Sequence, residues 1–258
     1  HANLFDSFNG QAIPLLIFLN NKREEIDRIL GFYPPDEYLE MIKKIYHGQD
    51  TYLSLKNQYK INNSDSSLLS KLSEKCSDNR DPIFCEDVYS TIINSRNILD
   101  DKILFKAELF FANQKLLLGE IDSAINLLDK YKNYDGTLEV YRQIIRYFAS
   151  IEDYISESKY YREMTDIFND NPSVLNGYAW RMTELGSNLG DALEKATLAV
   201  ELADDTNLKS YILDTKAEVL WLLGRVQEAL DTIDLAINID PDSDYFREQR
   251  EKFKSSFK

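Results

Sequence analysis

"YILDTKAEVLWLLGRVQEALDTIDLAINIDP", residues 211–241, decides the fold. Apolar residues recur at the helical period on both sides of Gly224, small residues fall at Ala217, Ala229 and Ala236, and Pro241 closes the stretch. Two paired helices need this arrangement. Alanine-sized contacts let the helices approach closely, glycine ends the first, and proline opens the next unit where no helical N–H is required.

Working backwards, the same unit recurs. "NPSVLNGYAWRMTELGSNLGDALEKATLAVELA" (171–203) offers Pro172, Ala179, Ala192 and Ala199, with about one extra residue at the turn. "LFKAELFFANQKLLLGEIDSAINLLDKY" (104–131) gives Ala112, Gly119 and Ala124, with Tyr131 where a second alanine belongs. Between them, 137–172 keeps the apolar period but carries bulky Phe148, Tyr160 and Ile167 near the small positions. The earliest unit, 66–95, would place Ser73, Cys76, Cys85 and Ile92 in the core. These spacings closely resemble the tetratricopeptide repeat, TPR, with Leu213 and Leu220 replacing the aromatic residues that family often has in the first helix. The resemblance implies a mainly α, right-handed TPR α-solenoid of about five helix pairs over 66–243, closed by a capping helix at 244–258.

The N-terminal region reads differently. "LLIFL" (15–19) is an apolar run suited to a strand buried on both faces, "NNKRE" turns the chain, and "EIDRIL" (25–30) returns as a half-buried strand. Gly31 breaks it, and "PPDEYLEMIKKIY" (34–46) is a helix with prolines and acids at its start and lysines near its end. This order, with Ile13-Pro14 before the first strand and "GFYPP" before the helix, resembles the C-terminal half of a thioredoxin-like domain over 1–47, followed by a connecting helix and loop at 48–65. The resemblance makes Pro14 a cis-proline candidate, while a trans proline entering a strand is the plain alternative. The family's other half, with its W-C-x-x-C, is absent from the sequence. A two-stranded hairpin is marginal alone, so the expectation is that upstream sequence completes the sheet, that the repeats cover its edge, or that a homo-oligomer forms through it.

Composition narrows the chemistry. The 258 residues carry 30 Lys and Arg against 44 Asp and Glu, a formal net charge of -14, so nucleic acid and anionic membrane surfaces are poor partners. No apolar run approaches the roughly 20 residues of a spanning helix. "HANLFDSFNG" lacks the basic start and apolar middle of a signal peptide, and the sequence suits a soluble protein of the cytoplasm or, after loss of a leader, of the periplasm or exterior. With His1 and His47 as its two histidines, the chain has little material for a His-dependent triad or metal site; no catalytic residue, metal or cofactor is expected. Cys76 and Cys85, nine apart on facing helices, are either small core thiols or a disulfide of an oxidising compartment, with a redox or metal pair the least favoured reading.

TPR arrays bind extended peptides along the face lined by their first helices. The resemblance therefore implies a protein or peptide ligand at Lys106, Phe110, Asn113, Arg142, Arg146 and Asn176. Arg142 and Arg146 lie one turn apart and could clamp a carboxylate; the plainer reading is solvated charges paired with neighbouring acids. Trp180 and Trp221 read as inter-repeat core or groove lining, and Asp204 and Asp205 as turn residues. The leading expectation is a non-catalytic binding scaffold. The alternative is part of a thiol–disulfide oxidoreductase whose C-x-x-C lies upstream of residue 1, with the repeats docking its substrate.

Overall fold

Helix pairs account for most of the chain. The computed structural model describes residues 14–77, 80–132 and 134–255, and the chain divides into two units at Leu127/Leu128. In the first unit, β1 (Leu15–Leu19) and β2 (Glu25–Leu30) precede α1 (Pro35–Tyr46), α2 (Tyr52–Ile61), α3 (Ser66–Cys76), α4 (Pro82–Asn94) and α5 (Asp101–Leu117). Helix α6 (Asp122–Lys130) crosses the boundary. The second unit contains α7 (Thr137–Ser150), α8 (Tyr154–Ile167), α9 (Pro172–Leu185), α10 (Leu189–Leu202), α11 (Thr206–Leu222), α12 (Val226–Ile239) and α13 (Asp244–Ser255). The fold is mainly α, a succession of paired helices after one hairpin.

In the second unit the small residues sit where the helices meet. Ala179, Ala192, Ala196, Ala199, Ala217, Ala229 and Ala236 are all fully buried. Gly186 (φ 59) ends α9 and Gly224 (φ 77) follows α11, both left-handed, which glycine adopts without Cβ strain. The extra turn residue expected after α9 is accommodated at Asn188, also left-handed at φ 52. Where alanine is missing, rings replace it. Phe148 of α7 and Tyr160 of α8 stack with centroids 5.5 Å apart and planes 10° from parallel. Side-chain caps begin most helices: Asn171 accepts from Ser173 and Val174, and Asp205, expected as a turn residue, accepts from Leu208 at 2.7 Å. Helix α13 sets Phe246 and Phe253 into a core shared with Leu213, Leu220 and Ile233.

In the first unit, β1 and β2 form an antiparallel hairpin pairing Leu15 with Leu30 and Ile17 with Arg28, with an irregularity between Phe18 and Leu19. Two sequence expectations fail here. The apolar run is not buried on both faces, for Leu16 and Leu19 are 38% and 42% exposed. Nor does "EIDRIL" alternate, because Asp27, Arg28 and Ile29 are successively buried at 1%, 5% and 2%. The reason is electrostatic. Arg28 is bidentate on Glu25 (2.7 and 2.6 Å), Arg80 reaches Asp27 (2.7 Å) and Glu25 (3.4 Å), and Lys75 also pairs with Asp27. The Arg80 guanidinium lies 4.8 Å from the centre of the Tyr52 ring. Paired ions replace the apolar face that alternation would require.

The 48–65 stretch is more than a connector: Leu55 and Tyr59 of α2 join the core of α3, α4 and α5, and the Tyr59 hydroxyl lies 2.7 Å from Thr91 Oγ1. Cys76 at the end of α3 and Cys85 in α4 are joined in a disulfide with Cα atoms 5.4 Å apart, and both are buried in that core. The core-thiol reading named the burial but not the bond. The isomer of the Ile13–Pro14 bond depends on Ile13, which lies outside the described residues; the Pro14 carbonyl accepts from Gly31 N at 3.0 Å.

Candidate functional site

The first helices of the second unit carry equivalent positions at the repeat spacing. Asn176 and Trp180 on α9 stand 34 residues after Arg142 and Arg146 on α7, and Asp214 and Glu218 on α11 stand 38 residues further on. Within each helix the two positions are one turn apart and project together.

On α7, Arg142 and Arg146 are exposed and both face Glu139, at 3.9 and 3.5 Å. Glu139 also accepts from Gln143 Nε2 at 3.3 Å, while Gln143 Oε1 is buried without a hydrogen-bond partner. One carboxylate thus balances two guanidinium groups. On α9, Asn176 Oδ1 is buried and accepts no hydrogen bond, and Trp180, one turn on, is 38% exposed. Beside it Arg181 donates to both oxygens of the buried Glu157 on α8 (2.6 and 3.1 Å) and to Glu184 (2.8 Å), which raise its pKa further.

On α11, Tyr211, Asp214, Glu218 and Trp221 follow one another along a single face. Helix α13 answers with Tyr245, Gln249 and Lys252, at the same spacing. The Tyr245 hydroxyl donates to Asp214 Oδ2 at 2.9 Å, and Lys252 Nζ donates to both Glu218 oxygens at 2.7 Å while lying 4.6 Å from the Trp221 ring centre. Asp214 Oδ1 and Gln249 Oε1 are buried without partners. Burial, reinforced by the charge of Glu218 and opposed by Tyr245 and Lys252, pushes the Asp214 carboxyl up to about 6. Burial and Asp214 in turn push the Tyr245 phenol up to about 12.

The remaining sequence candidates lie in the first unit. Lys106 Nζ pairs with Glu74 at 2.6 Å. Phe110 is partly buried, packed on Tyr89 (4.7 Å between centroids) and Phe111 (5.3 Å), so it contributes to core more than to surface. Asn113 Oδ1 is buried and unpartnered, as at Asn176. Among the described residues there is no group of three His, Cys, Asp or Glu able to hold a metal ion, and no helix is long and apolar enough to cross a membrane.

Many solved structures share the fold, and two illustrate it. One is "YrrB: a TPR protein with an unusual peptide-binding site", at TM-score 0.52 and 12% identity, covering 77% of this chain and 97% of that one. The other is a tetratricopeptide repeat protein from Parabacteroides merdae ATCC 43184, at TM-score 0.52 and 12% identity, covering 74% and 72%. No protein-family model and no curated protein sequence matches the chain. At this identity the likeness establishes a TPR fold.

Sequence reasoning missed Asp214 and Glu218, because helix carboxylates default to solvated. The signal was their position: in the final repeat they occupy the places of Asn176 and Trp180. Tyr245, Gln249 and Lys252 were missed with them, since the last helix was read as a cap and not as a partner.

Proposed function

We propose that the chain is a binding module that recognises an extended protein or peptide segment along the first helices of the second unit, with Arg142, Arg146, Asn176 and Trp180 as contacts. Lys106 and Asn113 are the corresponding contacts on the first unit's own helix α5, with Phe110 packed behind them. The observation that carries the reading is Asn176: its Oδ1 is buried without a donor, one turn from an exposed indole. An extended backbone carries N–H donors at regular intervals and apolar side chains between them, so it satisfies both features together. The peptide-binding site named for YrrB supports the same reading by analogy of fold. Cys76 and Cys85 are bonded to each other and buried, so neither offers a free thiolate.

The test is selection of binders from a phage-displayed random dodecapeptide library. Enriched peptides should lose at least tenfold in affinity on Asn176→Ala or Trp180→Ala, with unchanged melting temperature. An absence of enriched peptides, or binding indifferent to both variants, removes the assignment. An insulin-reduction assay should show no turnover above free dithiothreitol.

A further inference from the structure

Along the three equivalent helix positions the charge changes sign: basic at Arg142 and Arg146, neutral at Asn176 and Trp180, acidic at Asp214 and Glu218. The acidic end has a donor deficit. Glu218 is satisfied, since the Lys252 ammonium meets both its oxygens at 2.7 Å. Asp214, 4% exposed, receives only the Tyr245 hydroxyl on Oδ2, and its Oδ1 accepts nothing. Gln249, one turn after Tyr245 on the same helix, leaves its Oε1 equally without a donor. Two carboxylates therefore share one ammonium, and two acceptors in the same cluster lack any N–H or O–H. The flanking rings of Tyr211 and Tyr245 are 59% and 42% exposed, offering π faces at the rim.

We propose that the face of α11 bearing Asp214 and Glu218, backed by α13, is a seat for the cationic side chain, lysine or arginine, of a partner's extended segment. The chain itself displays the chemistry. Lys252 already holds one ammonium between a carboxylate and the Trp221 ring, 4.6 Å from its centre. A guest ammonium or guanidinium supplies what the neighbouring position lacks: positive charge for Asp214 and N–H donors for Asp214 Oδ1 and Gln249 Oε1. A neutral amide would satisfy the oxygens but leave the second carboxylate uncompensated, and an anion would be repelled. Entry requires the Tyr245 side chain to rotate outward, which its exposure permits. Combined with Arg142 and Arg146, the seat also gives the groove a direction, with the basic end of the guest over α11 and its acidic end toward α7.

This inference deepens the peptide-binding reading and rests on it. The probes are four blocked hexapeptides, acetyl-Gly-Ser-Ala-X-Ala-Ser-amide, with X lysine, arginine, glutamate or norleucine. Binding to the full chain is followed through the indole N–H resonances of its two tryptophans, assigned with Trp180→Phe. The lysine and arginine peptides should shift the Trp221 resonance saturably, at least tenfold more tightly than the norleucine or glutamate peptides. Asp214→Asn, which keeps the Tyr245 contact, should weaken them at least fivefold, and Lys252→Met, which removes the internal ammonium, should tighten them. Equal affinity across the four peptides, preference for glutamate, or no saturable shift overturns the cationic seat. Equal or glutamate-preferring binding does so while leaving the peptide-binding reading intact; that reading fails separately, in the library selection.

Discussion

Arg80 and Asp27, fifty-three residues apart in sequence, meet at 2.7 Å with side chains only 2% and 1% exposed. This pair, with Lys75 and Glu25 around it, ties the hairpin to the turn between α3 and α4. Removing one partner of a buried pair costs about 3–5 kcal/mol when the remaining charge has no other counter-ion; Asp27 keeps Lys75, which places the loss at the lower end. Arg80→Met should therefore lower the stability of the first unit by that order and speed hydrogen exchange at the amides of residues 25–30 before it affects α9 to α12. Protection of the strand unchanged from wild type would show that the hairpin is held by other contacts.

The disulfide between Cys76 and Cys85 closes a short loop, with a sequence separation of 9. Chain-entropy arguments put the loss on removing such a link at about 2–3 kcal/mol. The Cys76→Ala, Cys85→Ala double variant should show that loss in urea unfolding followed at the first unit. Intact mass under non-reducing conditions should be two hydrogens below that of the reduced chain.

Ala229 is fully buried where α12 meets α11, a spacing that only a small side chain allows. Ala229→Leu should overpack the contact and cost about 1–3 kcal/mol in thermal or denaturant unfolding. Ala229→Ser, nearly the same size, should cost less, so the comparison separates volume from chemistry.

The Asp214 carboxyl titrates near 6 in the folded chain, above its ordinary value of 3.8, because burial penalises its charge. In the folded state it holds its proton through a range where the unfolded chain has released it. Stability from this group is therefore present at low pH and falls as pH rises from about 4 through about 6, a loss on the order of 1–3 kcal/mol. Asp214→Asn should flatten that slope and raise the melting temperature at pH 7 to 8. A wild-type slope retained in the variant would assign the titration elsewhere.

Much of the architecture was legible because it depends on volume and backbone freedom, which residue identity states directly. Ala217, Gly224, Ala229 and Pro241 mean the same thing in any sequence with that spacing. The ends of α1 were equally plain, from Pro35 at its start to Lys43 and Lys44 in its last turn. What stayed hidden depends on partners distant in the chain. Nothing in "EIDRIL" announces that Arg80 and Lys75 will bury its acid, so period-2 reading predicted an exposed face. The two arginines of α7 were legible as a pair and as charges set against neighbouring acids, which Glu139 bears out; that one carboxylate serves both was not. The acidic cluster of α11 required knowing that α13 would return with Tyr245 and Lys252.

A stack of helix pairs has no inherent length, since each pair offers the next an apolar ledge of the same kind. Helix α13 fills that ledge with Phe246 and Phe253 and turns Arg247, Glu248, Glu251 and Lys254 to water. Deleting it would lay Leu213, Leu220 and Ile233 open to a neighbouring molecule, visible as species that grow with concentration in size-exclusion chromatography.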